Sequence, residues 1–187
     1  MPAPNSLTSQ ERVKLYLNIE DTKWDAVIDE EIDAVSQGIV DYCSRTFLAE
    51  DLTASIDGDG TADLQLRFPI ISITSISNNG TAVVETTNWE QYPDTGLVVL
   101  TDGTGWATGI KKITITYRYG YELDDLPRVI VSAATQWVCK KLDDIQSHRI
   151  GVSSVSVGDQ SISYEKGMPK EIQAMVNPYV LAIGGWS

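Results

Sequence analysis

The spacing of hydrophobic residues along the chain changes twice. Apolar positions recur at helical intervals over residues 8–47, alternate with polar ones over 52–119, and return to helical intervals at 126–146. This order predicts an α+β protein in which an antiparallel β lobe interrupts a set of helices. We expect four helices to form a four-helix bundle core. They cover about 8–18, 24–47, 126–146 and 169–180.

The helix expected at 24–47 has the clearest amphipathic pattern. One face carries Trp24, Ile28, Ile32, Val35, Ile39, Tyr42 and Cys43, and the other side carries Asp29, Glu30, Asp33 and Asp41. We expect this acidic side to be solvated, and a docking surface for a basic neighbour is the alternative. Before it, Thr8 and Glu11 match a capping box that would start the first helix, and residues 1–7 are expected to form a loose arm.

The helix expected at 126–146 carries apolar residues around most of its circumference. Such a helix needs neighbours on several sides, so we place it at the centre of the helices. The predicted domains are therefore a helical one, 1–50 with 120–187, and an inserted β-rich lobe at 51–119.

Short alternating runs in the lobe are separated by turn sequences. Asn79-Gly80 is a strong signal for a two-residue hairpin, since both residues tolerate a positive φ. In the last run Ile113, Ile115 and Tyr117 alternate with polar residues. Because no helix lies between these strands, we predict an antiparallel sheet or a small sandwich.

The chain is acidic, with 26 acidic against 14 basic residues and a net charge of −12. Tight binding to a phosphate backbone needs clustered lysine and arginine, so the composition argues against a nucleic-acid-binding protein. DNA would instead pass such a surface without specific binding.

Cys43 and Cys139 lie in different predicted helices without a CxxC spacing, which indicates reduced thiols in a cytosolic protein. No secretory signal precedes the first helix, and no stretch approaches the roughly 20 apolar residues of a membrane span. We therefore expect a soluble intracellular protein without a membrane contact.

Two groups of residues raise the question of chemistry. Asp57, Asp59 and Asp63 resemble the start of a calcium loop. Phe68 stands where that loop needs a bidentate glutamate, so turn formation is the better interpretation. His148, the one histidine, has carboxylates a helix turn away but no nucleophile in a recognisable motif. We expect no catalytic site, no metal site and no cofactor.

Two segments are candidates for contact with other proteins. The apolar tail at 181–187 carries Ile183 and Trp186, and either anchors a partner or folds back over its own helices. The polar loop at 152–164 is either an ordinary linker or becomes ordered against a neighbouring subunit. Its candidate contact residues are Val152, Val155, Val157, Ile162 and Tyr164.

Several segments, in their order, resemble the head–tail connector (adaptor) proteins of tailed bacteriophages. They are LTSQERVKLYLNI, the long helix ending in YCSRTF, DGDGTADLQLRFPIISITSI, KKITITYRYGYELDDLPRVIVSAATQWVCKKL and GVSSVSVGDQSISYEKGMPKEIQAMVNPYV. The resemblance spans about residues 7–180 and lies in the order of the segments, since no short motif of the family is diagnostic.

The resemblance implies a structural virion protein at the head–tail interface, assembled in the host cytoplasm. It implies a ring, usually of twelve subunits, that docks under the portal protein and extends the DNA channel toward a stopper or tail-completion protein. The helices would build the ring, and the tail and loop would contact the portal or adjacent subunits. Compact relatives are nearly all helical, so the lobe departs from the simplest pattern. Whether the free protein is a monomer is left open.

The alternative is a binding module whose β lobe recognises a protein or carbohydrate ligand. Trp89, Tyr92 and Trp106 in expected loops of the lobe motivate it, although such aromatics are more often part of a core. Deletion of 52–119 would separate the two functions, because only the module would lose its ligand.

Overall fold

The computed structural model describes residues 5–83, 88–147, 154–157, 160–163 and 167–181. The chain forms two compact units. The helical unit consists of Met1–Thr46 with Leu126–Ser187, and the β lobe consists of Phe47–Asp125. The protein is therefore α+β, as the hydrophobic pattern predicts.

The helical unit contains four α-helices among the described residues. They are α1 (Gln10–Leu17), α2 (Asp25–Cys43), α3 (Arg128–Gln146) and α4 (Lys170–Val176). A short antiparallel hairpin follows α3 in the chain and precedes α4. None of the described helices combines the length and the apolar character needed to cross a bilayer.

The four-helix bundle expected from the sequence is wrong. α2 and α3 have 19 residues each, whereas α1 has 8 and α4 has 7. The two short helices cannot line a bundle core along the whole length of the two long ones. α3 lies at the centre instead, in contact with α1, α2 and α4. Its buried residues are Ile130, Ala133, Ala134, Thr135, Trp137, Val138, Cys139 and Leu142. The unit is a pair of long helices flanked by two short ones.

Two helices end earlier than predicted. α2 stops at Cys43 because Ser44 adopts a left-handed conformation with a φ of 52°, and its N–H donates to the carbonyl of Asp41 at 3.2 Å. α4 stops at Val176, where a 3-10 turn follows and Pro178 supplies no N–H to continue the helix.

The residues just before α1 are anchored rather than loose, and residues 1–4 of the predicted arm lie outside the described residues. Leu7 is 1% exposed, and its N–H donates to Ser36 Oγ at 2.9 Å. The Thr8 hydroxyl pairs with that of Thr135 at 2.7 Å, so it does not cap the helix. Ser9 caps α1 instead, by accepting a hydrogen bond from a backbone N–H of the first turn. The capping residue predicted from the sequence is therefore wrong by one position.

A ladder of polar contacts joins this segment and α1 to α2. Three side chains spaced four residues apart meet three aspartates of α2 with the same spacing. The pairs are Lys14 with Asp25 at 2.7 Å, Gln10 with Asp29 at 2.9 Å and Ser6 with Asp33 at 3.0 Å. Their order shows that α1 runs antiparallel to α2. This aspartate ladder corrects the expectation of a solvated acidic side for Asp29 and Asp33, whereas Glu30 and Asp41 are exposed as expected.

A glycine allows α2 and α3 to pack closely. A Cβ atom on Gly38 would lie 2.8 Å from Cη2 of Trp137, which is 7% exposed and has little room to withdraw.

We expect Gly38→Ala to lower the free energy of unfolding by about 1–3 kcal/mol, because overpacking outweighs the roughly 1 kcal/mol that alanine gains over glycine in a helix. Urea denaturation measures the change. Ala34→Gly, at an exposed position of α2, reports the propensity difference alone, and a stabilised Gly38→Ala variant would contradict the prediction.

The β lobe contains seven strands among its described residues. They are β1 (Glu50–Gly58), β2 (Asp63–Gln65), β3 (Ile70–Asn78), β4 (Thr81–Val83), β5 (Trp89–Tyr92), β6 (Leu97–Leu100) and β7 (Gly109–Tyr119). One antiparallel sheet has the order β1-β7-β3-β4, and the other has the order β2-β6-β5. Ile115 and Tyr117 of β7 join Val98 of β6 in one buried cluster. This is the sandwich, one of the two arrangements anticipated.

The Asn79-Gly80 turn joins β3 to β4, as predicted. Asn79 has a φ of 52° and Gly80 a φ of 83°, the positive values that a two-residue hairpin requires. Asn78 and Thr81 pair across the strands on either side of the turn. The hairpin of the helical unit consists of β8 (Ser154–Val157) and β9 (Gln160–Ser163).

Candidate assembly surfaces

Most of the contact residues predicted from the sequence fall outside the part of the chain that the structure describes. Four lie outside the described residues: Val152, Tyr164, Ile183 and Trp186. Three lie on the backbone of β8 and β9: Val155, Val157 and Ile162. In that hairpin Val155 pairs with Ile162. That these seven residues make contacts in an assembly stays a prediction.

Of the acidic residues that resemble a calcium loop, Asp59 lies in the turn between β1 and β2, whereas Asp57 lies near the end of β1 and Asp63 begins β2. Thr61 donates to Asp59 Oδ1 from its hydroxyl at 2.6 Å and from its N–H at 2.8 Å, and these bonds lower the pKa of Asp59. Asp57 Oδ1 accepts the N–H of Lys111 at 2.6 Å. Within the described residues, no three His, Cys, Asp or Glu side chains cluster in a way that could hold a metal ion. His148 lies outside those residues.

The aromatic residues that motivate a ligand-binding lobe are mostly core. Trp106 is 1% exposed and donates from Nε1 to the carbonyl of Ala62 at 2.8 Å. Trp89 is also buried, and both rings belong to the cluster shared by the two sheets. Tyr92, 45% exposed, is the one of the three that solvent reaches freely. Two of the three rings therefore stabilise the lobe and form no recognition surface.

A polar cluster in the lobe joins one arginine, one glutamate and two tyrosines. Arg67 donates from Nη1 to the Tyr119 hydroxyl at 2.9 Å, and its backbone N–H donates to the Tyr117 hydroxyl at 3.3 Å. The Tyr119 hydroxyl in turn donates to Glu50. Burial raises the pKa of both tyrosines. Because these groups satisfy one another, the cluster is best explained as part of the fold.

The two cysteine thiols are buried in the helical unit. Cys43 is fully buried and Cys139 is 8% exposed, and burial raises the pKa of each thiol to about 11. The thiolate is the nucleophilic form, so both thiols are unreactive at neutral pH.

We expect high pH to destabilise the helical unit through these thiols. In the unfolded chain each thiol ionises near pH 9.0, whereas in the folded chain its pKa is about 11. The stability they contribute is complete below pH 9 and is lost as the pH rises toward 11, by up to about 2 kcal/mol for each thiol. Urea denaturation below pH 9 and near pH 11 measures the loss in the free energy of unfolding. The double variant Cys43→Ala, Cys139→Ala should lose less, and equal losses would contradict the prediction.

The outer face of α1 exposes two large side chains. Leu15 is 84% exposed and Tyr16 is 65% exposed. Val13 is fully buried on the opposite face, beside the ladder residue Lys14. Leu15 stands about 200° from Val13 on a helix, so a helix that packs Val13 presents Leu15 to solvent. Sequence reasoning missed this face, although the helical wheel of α1 contains the signal for Leu15; Tyr16 stands only about 60° from Val13, so the wheel does not predict its exposure.

A second exposed group lies at the carboxyl end of α2. Tyr42 is 37% exposed and Val180 is 40% exposed, whereas the sequence pattern places Tyr42 on the buried face. The Tyr42 hydroxyl donates to Asn177 Oδ1 at 2.7 Å. The N–H of Leu181 donates to the carbonyl of Cys43 at 3.0 Å. The tail predicted to make contacts therefore starts beside the last turn of α2.

The helical unit and the lobe thus use most of their described side chains for packing, capping and turns. Four of the five large exposed apolar side chains described in the helical unit lie at these two places, and the fifth is Val129 on α3. These features define an α+β protein with exposed apolar side chains on its helical unit. A family model identifies the family: the chain belongs to the head completion protein family, whose model matches residues 6–180. This confirms the predicted resemblance and a structural role at the head–tail interface of a phage virion. No curated protein matches the chain.

Solved structures with a similar fold come from gene transfer agent (GTA) particles. One is a chain from the neck of an empty particle computed with C6 symmetry, with a TM-score of 0.61 at 12% identity, covering 94% of this chain and 91% of that chain. Another, from the neck of a native particle computed with C12 symmetry, has a TM-score of 0.55 at 14% identity and covers 86% of each chain. A chain from the virion of a native particle has a TM-score of 0.55 at 13% identity, covering 94% of this chain and 90% of that chain. At these identities the likeness concerns the fold.

Proposed function

We propose that the protein is a head–tail connector subunit that assembles into a ring beneath the portal protein and extends the DNA channel toward the tail. The family match over residues 6–180 carries the proposal, because it includes most of both compact units. The chains of similar fold come from necks computed with C6 and C12 symmetry, which favours a ring of twelve subunits. In this role the protein is a structural component and not an enzyme.

We place the portal protein on one side of the ring and a stopper or tail-completion protein on the other. The apolar tail at 181–187 and the segment at 152–164 are the contact segments that we assign to the portal or to adjacent subunits. The net charge of −12 suits a channel through which DNA moves, since like charge keeps the phosphate backbone from adhering.

Reconstitution with the portal protein tests this function. The full chain is mixed with purified portal rings, and native mass spectrometry and electron microscopy count the copies bound. We expect twelve copies in a closed ring on each portal, and no retention of duplex DNA by the isolated protein at physiological salt. A variant that ends at residue 181 should bind the portal more weakly. Failure of the full chain both to bind portals and to form rings would overturn the proposal.

A further inference from the structure

Two exposed groups among the described residues of the helical unit lie at opposite ends of α2. We call them the α1 patch, formed by Arg12, Leu15 and Tyr16, and the α2-end patch, formed by Asp41, Tyr42 and Val180. The aspartate ladder places Lys14 against Asp25 in the first turn of α2, so the α1 patch lies beside that turn. The other patch lies at the last turn, about 25 Å away at 1.5 Å per residue.

The two patches resemble each other in size and differ in charge. Each combines an exposed tyrosine with an exposed aliphatic side chain. Arg12 and Asp41 are both exposed, and they bring opposite charges to the two patches. Arg12 forms no ion pair among the described residues, and Asp41 accepts a hydrogen bond from Gln37 at 2.7 Å. Tyrosine and arginine are the residues most often found at the centre of protein interfaces.

Single exposed apolar residues are common on protein surfaces and need no partner. The α1 patch differs from this background because Leu15 and Tyr16 are adjacent and are 84% and 65% exposed. A helix stabilised on one side by the ladder fixes the backbone from which both side chains extend. An interface would therefore have to order the side chains but not the backbone that carries them.

A closed ring needs heterologous contacts, in which one patch of a subunit meets a different patch of the next. In a large ring the two neighbours of a subunit lie in nearly opposite directions, which suits patches at the two ends of one long helix. We propose that the α1 patch of one copy of this chain binds the α2-end patch of the next copy, with Arg12 facing Asp41. This inference rests on the proposed ring.

Disulfide trapping tests the pairing directly. The variant with both Arg12→Cys and Asp41→Cys is assembled on portal rings and oxidised, and denaturing gels without reductant resolve the products. The native thiols are buried, so the background is low. Because each copy contributes two different positions, we expect a ladder of covalent multimers that extends beyond dimers. Each single-cysteine variant, and the control pair Arg12→Cys with Lys140→Cys, should give no ladder.

Charge reversal supplies a second measurement on the same pairing. We expect Arg12→Glu and Asp41→Arg each to weaken assembly by about tenfold, and the double variant to recover most of the loss, because the pair is restored with its signs exchanged. Lys140→Glu, an equivalent change at an exposed site of α3, should have little effect.

The outcomes separate this inference from the proposed function. If the wild-type chain forms rings but the cysteine pair gives no more multimers than the control pair, the pairing is wrong and the ring stands. If the double charge-reversal variant does not recover assembly, the proposed contact between Arg12 and Asp41 is wrong. If the wild-type chain neither forms rings nor binds portals, both proposals fall together.

Discussion

Replacing Leu7 with alanine is expected to lower the free energy of unfolding by about 2–5 kcal/mol, the usual effect of truncating a fully buried leucine. Leu7 is 1% exposed, and its backbone N–H donates to Ser36 Oγ. The cavity would therefore open where the N-terminal segment attaches to α2. Since this segment leads directly into α1, we expect α1 to lose protection from hydrogen exchange before α3 does.

The matched control for this change is Leu15→Ala. It removes the same number of atoms from a side chain that is 84% exposed, so the expected change in the free energy of unfolding is within about 0.5 kcal/mol. Urea denaturation of the two variants decides the matter. A negligible loss for Leu7→Ala would show that the N-terminal segment does not stabilise the helical unit. Similar losses in both variants would show that the burial of Leu7 does not set the size of the effect.

A loss of about 3–5 kcal/mol is expected for Trp106→Ala in the β lobe. The substitution removes a ring that is 1% exposed, and it takes away one of the two donors to the carbonyl of Ala62, which still accepts the N–H of Leu100 at 2.9 Å. Hydrogen exchange followed by mass spectrometry measures the effect by peptide. We expect peptides of β7 to exchange faster, while those of α3 change less.

Two further variants separate the parts of this effect. Trp106→Phe keeps a large ring but removes the N–H, so it should cost less than the alanine variant. Tyr92→Ala removes an aromatic ring that is 45% exposed, and it should leave the exchange of β7 nearly unchanged. If Tyr92→Ala destabilised the lobe as strongly as Trp106→Ala, the assignment of the lobe core would be wrong.

Much of the fold follows from local signals in the sequence. The long amphipathic pattern predicts α2, the broad apolar surface predicts the central position of α3, and Asn79-Gly80 predicts the turn between β3 and β4. Each of these signals depends on residues close in sequence. The bundle prediction failed because it depends on how far the short helices extend, and Pro178 ends α4 soon after it begins.

The candidate surfaces were harder to predict, because they depend on which side of each helix is covered. The sequence pattern predicts a solvated acidic side for α2, whereas in the structure Lys14, Gln10 and Ser6 contact aspartates there. Tyr42 falls on the apolar face of the helical wheel, yet it lies at the end of α2 and is 37% exposed. Long-range packing, and not the local pattern, decides both positions.

The equal spacing of the aspartate ladder leaves its own alignment ambiguous. If α1 slid along α2 by one helical turn, Lys14 would meet Asp29 and Gln10 would meet Asp33, and two of the three contacts would form again. Leu7 and Thr8 remove this ambiguity, because the buried leucine and the hydroxyl pair with Thr135 fit one alignment. The residues just ahead of α1 therefore determine how far along α2 the side chains of Leu15 and Tyr16 stand.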